Sequence, residues 1–248
     1  MNKYNKFIIF FIIVLFSITG TCFSQVILLG IKAGAGFSNL VLHKNWKTLS
    51  GGGNDGRLIN FNGGLTVNLK IADDWSLHSE ILFEDKGYKS IYYYIDSLYQ
   101  NHQNPRNVTE KHIAHNYYLH FPQTIRYQIP FGKRKRYSIY LEAGGYFAYY
   151  FGTKSIEIQI VDGIQQKSTG YMDITKLPAG TNCHKFDWGA TAGTGILIPL
   201  WQGQFDINIK YDHMLQPWDT NPVTDVKYYY NVLAITIGYA IPVMNRKY

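Results

Sequence analysis

The stretch 116–151 limits the folds open to this chain more than any other. It reads NYYLHFPQTIRYQI, then PFGKRKR, then YSIYLEAGGYFAYYF. Side chains of a strand alternate between two faces. In the second half Tyr137, Ile139, Leu141, Ala143, Phe147, Tyr149 and Phe151 therefore share one face. Ser138, Tyr140, Glu142 and Gly144 share the other. Two strands joined by a basic turn thus present a greasy face, aromatic at both ends, and a polar face. A soluble sheet covers a greasy face with a second layer. A membrane barrel turns it toward lipid and sets its aromatics at the two interfaces.

The rest of the chain favours the barrel. Period-two alternation marks strands over 29–39, 59–71, 75–86, 185–198, from 205 to 212, and 229–241, which with the opening pair makes eight. Strand two, for example, sets Phe61, Leu65, Val67 and Leu69 against Asn60, Asn62, Thr66 and Asn68. Connections alternate long and short, as when short turns lie at one end of a barrel and long loops at the other. The expected fold is all-β: an eight-stranded antiparallel up-and-down transmembrane β-barrel with long extracellular loops. Residues 87–115 read as a long polar loop. Pro122 lacks a ladder donor and reads as a bulge. Asp162-Gly163 signals a hairpin within 153–184, expected to stand in solvent above the barrel.

The first residues look like an export signal. Lys3 and Lys6 precede an unbroken apolar run over 7–16, and Cys22 and Ser24 supply a small-residue cleavage site. The expected division is a signal peptide over 1–24 and a single barrel domain over 25–248. A lipoprotein signal through Cys22 is the weaker reading, because Thr19, Gly20 and Thr21 match a lipobox poorly. The mature chain then holds one cysteine, Cys183, which leaves no intramolecular disulfide. Removing Lys3 and Lys6 changes the net charge from +7 to 22 − 17 = +5. Four of those positives are the turn Lys133, Arg134, Lys135 and Arg136, so no nucleic-acid-binding face is expected.

The polar face gathers charge. Lys32, His78, Glu80, Glu84, Arg126, Glu142, Asp206 and Lys210 are expected to form a lumen network, with Asp187 and Asp212 on the same side. An eight-stranded barrel is just wide enough for side chains to fill, and buried charges must pair. Arg126 is expected between Glu80 and Glu142. The sharper alternative is a proton or ion path, or a catalytic carboxylate pair. No catalytic, cofactor or metal residues are assigned. His112, His115 and His120 invite a metal reading, but residues three apart point to opposite faces of a strand, so His112 and His115 converge only if their loop bends. Cys183-His184 lacks an orienting third group. Tyr117, Tyr118, Tyr149 and Tyr150 read as interfacial girdle. Tyr92, Tyr93 and Tyr94 are expected to touch an external partner, or the Asp162-Gly163 hairpin folding over the barrel mouth.

Four segments also resemble a family. GIKAGAGFSNL at 30–40, SEILFEDKGY at 79–88, YYLHFP at 117–122 and LEAGGYF at 141–147 are similar to PorT-like outer-membrane β-barrel proteins. That resemblance implies a Gram-negative outer-membrane protein; the role in secretion of the family's namesake is not carried over by these residues. His120 and Gly145 depart from the family pattern, and residues 242–247 intervene before the terminal Tyr248. The functional expectation is a non-enzymatic outer-membrane barrel without cofactors and with a plugged polar lumen. It meets outer-membrane lipid, and its long loops serve binding to envelope or extracellular proteins or glycans, adhesion, or an envelope or secretion accessory role. The rivals are an outer-membrane lipid-modifying enzyme or protease, and a narrow pore.

Overall fold

The computed structural model describes residues 26–43, 56–96, 106–132, 136–172, 184–217, 219–221 and 226–245. The export signal over 1–24 and Cys183 lie outside the described residues.

Among the described residues ten strands follow one another: β1 (Val26–His43), β2 (Leu58–Lys70), β3 (Trp75–Asp96), β4 (Arg106–Phe131), β5 (Tyr137–Val161), β6 (Ile164–Met172), β7 (Phe186–Leu200), β8 (Gly203–Met214), β9 (Asp219–Asn221) and β10 (Val226–Asn245). Eight of them, β1, β2, β3, β4, β5, β7, β8 and β10, form a ring that closes where β1 pairs with β10. Every pairing is antiparallel. β6 pairs with the outer part of β5, and β9 with the start of β10.

The register fixes the geometry of the ring. A circuit from Leu29 through Val67, Ser79, Gln123, Gly145, Ala190, His213 and Asn231 returns to β1 at Asn39, ten residues along. This shear obliges the strands to tilt, by about 35–45° in barrels of this kind. Outward positions are apolar and exposed: Ile31 at 65%, Ile59 at 68%, Leu65 at 59% and Leu141 at 56%. Among the described residues no second layer covers them, so the face is a lipid face. Along β3 it runs from Trp75 to Phe83, about the nine to eleven residues that a tilted strand needs to cross a bilayer. Aromatic pairs mark both rims. Trp75 and Tyr127 lie 4.8 Å apart at the short-turn end, and Tyr149 and Phe186 5.1 Å apart toward the long-connection end.

The structure departs from the sequence reading at several points. Most of the expected loop 87–115 is strand, because β3 and β4 stay paired from Gly87–His115 out to Asp96–Arg106. No bulge lies at Pro122. β3–β4 pairing lapses opposite Phe121 and Pro122 and resumes in unchanged register, since proline lacks an N–H but needs no extra residue. The bulge falls instead on β4–β5, where Tyr117 pairs with Gly152 and Tyr118 with Tyr150. Tyr117 and Tyr149 are outward girdle residues, but Tyr118 and Tyr150 are buried in the lumen, as even positions on their strands require. The Asp162-Gly163 hairpin is present, with φ of 49° and 83°, the pair of positive values that a type I′ turn demands. It joins β6 to the part of β5 that runs on beyond its pairing with β7.

Candidate functional site

Side chains from the inner face of the barrel fill its lumen in two groups. The group nearer the short turns is built on Glu80 and Glu142. Lys32 Nζ lies 2.7 Å and Lys210 Nζ 2.8 Å from Glu80 Oε1, and His78 Nε2 lies 2.8 Å from the same oxygen. Arg126 donates from Nε to Glu142 Oε2 at 2.7 Å and from Nη1 to Asp206 Oδ2 at 3.4 Å. Lys210 also reaches Glu142 Oε1 at 3.4 Å, joining the two carboxylates. The Tyr140 hydroxyl donates to Asp206 at 2.8 Å, and Asn208 Nδ2 donates to that hydroxyl at 2.7 Å. The Arg126 guanidinium stacks 4.2 Å from the Tyr140 ring.

All eight sequence-assigned lumen residues face inward, and Arg126 meets Glu142. Glu80 goes to the two lysines in place of Arg126, whose second carboxylate partner is Asp206 on the opposite wall. Glu84 stands apart, in the second group.

That second group lies toward the long connections. Lys86 Nζ is 3.5 Å from Glu84 Oε2 and 3.6 Å from Asp187 Oδ2, and it sits over the rings of Tyr118 and Tyr146 at 4.9 and 4.6 Å. His120 stands between Glu84 and Asp212, with Nδ1 3.1 Å from one and Nε2 3.8 Å from the other. Further out, Asn116 donates to the Tyr230 hydroxyl at 2.6 Å, and Thr153 bonds both Asn116 and Tyr150. Sequence reasoning left Lys86, Tyr140 and Asn208 out of the network. Their even numbers on β3, β5 and β8 carry the same signal that found Glu84, Glu142 and Lys210.

Burying so many charges is tolerable only because they face each other. Within hydrocarbon-flanked walls, an unpaired ammonium or carboxylate here destabilises the barrel, whereas a paired one fills its bore. Chemically the first group is a web of ion pairs that crosses the lumen.

The tyrosines assigned to the long connections sit elsewhere. Tyr92 pairs with Glu110 and Tyr93 with Thr109 on the outer part of β3, where they are 41% and 63% exposed. β4 lies between the strand that carries them and β5, which leads into the Asp162-Gly163 turn. The Tyr94 side chain lies outside the described residues.

Similar folds occur among solved structures of outer-membrane proteins. OprG from Pseudomonas aeruginosa is 13% identical, with 89% of this chain and 98% of that chain covered and a TM-score of 0.41. Neisserial surface protein A is 12% identical, with 86% and 96% covered and a TM-score of 0.37. Ail, the attachment invasion locus protein of Yersinia pestis, is 11% identical, with 86% and 98% covered and a TM-score of 0.31. No curated protein matches the sequence. The model of the outer membrane protein beta-barrel domain matches residues 23–218, most of the chain. The chain therefore belongs to the outer-membrane β-barrel family, and its place is the outer membrane.

Proposed function

We propose that this barrel is a non-enzymatic surface protein whose outward extension binds a protein or glycan of the envelope or the exterior. The observation that carries this reading is the sheet that continues beyond the ring. β5 leaves β7 after Tyr149–Phe186, yet it stays paired with β4 to Val161 and gains β6 on its other side. With the outer parts of β3 and β4 this makes a four-stranded wing. From Gly152 to Val161 the wing extends roughly 30 Å along β5, at about 3.3 Å per residue.

One face of the wing alternates cations and aliphatic groups. Register places Ile91, Lys111, Ile158 and Lys167 in one row and Lys89, Ile113, Ile156 and Thr169 in the next. Tyr93, 63% exposed, and Tyr171, 77% exposed, belong to the same face. Tyrosine joins a large apolar ring to one polar tip, which suits wet recognition surfaces. Within the family we assign the chain to a PorT-like branch, on the four segments quoted above, with an accessory role at the envelope as the corresponding expectation. The test replaces Tyr93 and Tyr171 together with serine and crosslinks intact cells. Wild-type partners are expected to drop out of the captured set while the heat-modifiable gel shift of the folded barrel is unchanged. Capture of the same partners by the variant refutes the reading.

A further inference from the structure

The two lumen groups differ in charge balance. Around Glu80, Glu142 and Asp206 stand three permanent cations, Lys32, Arg126 and Lys210. In the outer group Glu84, Asp187 and Asp212 are each no more than 3% exposed, and the permanent cation among them is Lys86. Three carboxylates against one ammonium leave two negative charges in a site closed to water. His120, 1% exposed, is aimed into this group, and neither of its ring nitrogens makes a hydrogen bond. One oxygen of Glu84, one of Asp212 and both of Asp187 are likewise without hydrogen-bond partners.

One donor atom from each of Glu84, His120 and Asp212 lies within 4.8 Å of the others. Glu84 Oε2 lies 3.1 Å from His120 Nδ1, which suits two ligands of one ion, since metal–ligand bonds of about 2.0–2.2 Å leave ligands roughly 3–4 Å apart. An imidazole nitrogen with two carboxylate oxygens is a donor set for a borderline divalent metal. The donors come from β3, β4 and β8, so an ion here ties together opposite walls of the ring.

We propose that Glu84, His120 and Asp212 form a lumenal site for one divalent transition-metal ion, taken up as the barrel closes. The ion cancels the two excess charges, and Lys86 holds Glu84 and Asp187 beside it. Two protons, one on His120 and one on a carboxylate, are the rival means of neutralisation. Zinc separates the two. The whole protein is refolded with equimolar zinc and freed of loose metal by gel filtration in a chelator. Retained zinc is then counted against the folded fraction read from the heat-modifiable band. Wild type is expected to retain one equivalent. Glu84→Gln and Asp212→Asn, which remove charge but hardly any volume, are expected to retain less than a tenth of that. His112→Gln with His115→Gln should keep the full equivalent. Folded wild type without zinc overturns the proposal in favour of protons. Equal retention by Glu84→Gln and Asp212→Asn overturns it by placing the ion elsewhere.

Discussion

Arg126 is 1% exposed and holds Glu142, Asp206 and the face of Tyr140 at once. Removing it takes the cation from Asp206 and leaves Glu142 with the more distant Lys210 alone, and breaking a buried pair in this way costs roughly 3–5 kcal/mol. Arg126→Ala is therefore expected to lower the urea midpoint of the folded barrel sharply. Lys167→Ala, an exposed change on β6, should stay within about 0.5 kcal/mol of wild type. Tryptophan fluorescence read against urea compares the two, and equal midpoints would point to a water-filled bore. Adding Glu142→Ala to Arg126→Ala should restore part of the loss, because the carboxylate that lost its nearest cation goes with it. At this scale the sequence told which side chains point inward but not which meet. Parity is local, whereas the approach of Arg126 to Asp206 spans the lumen from β4 to β8 and depends on the shear of the whole ring.

Strands were legible where one face meets lipid and illegible where neither does. The apolar alternation of 75–86 announced the inner part of β3. Its outer part, Tyr88-Lys89-Ser90-Ile91, shows no such contrast and is held in the sheet by its neighbour β4. The Asp162-Gly163 turn was readable because both residues tolerate positive φ. The β4–β5 bulge was not, since an extra residue at Phe151 leaves no compositional trace. It does leave a structural one. Inward parity on β5 passes from even to odd numbers, which turns Ile156, Ile158 and Ile160 to the outer side of the wing. Close packing gives a further test at the level of the strand. A Cβ on Gly144 would collide with the Gln123 carbonyl and lie 2.8 Å from Thr124 Cα, whereas one on Gly170 of β6 meets nothing within 4 Å. Gly144→Val should thus destabilise the β4–β5 seam by on the order of 3 kcal/mol. Gly170→Val should leave the refolding yield, scored by gel shift, unchanged.

Across the whole molecule, closure accounts for both the outer-membrane address and the filled bore. Pairing β1 with β10 leaves no unpaired backbone edge within the ring, the condition for residence in lipid. With Arg126, Tyr140, Glu142 and Lys210 across the lumen, planar-bilayer recordings of wild type should show no steady conductance, and discrete openings should follow Arg126→Ala combined with Lys210→Ala. Steady wild-type current would contradict the plug. The ten-residue offset around eight strands carries one more implication. Girth in such a ring follows from strand number and shear, not from the side chains inside it. Substitution can hollow the bore but cannot stretch the wall. Any gate in this molecule must be made of moving side chains, and a hoop of this size has no wider setting.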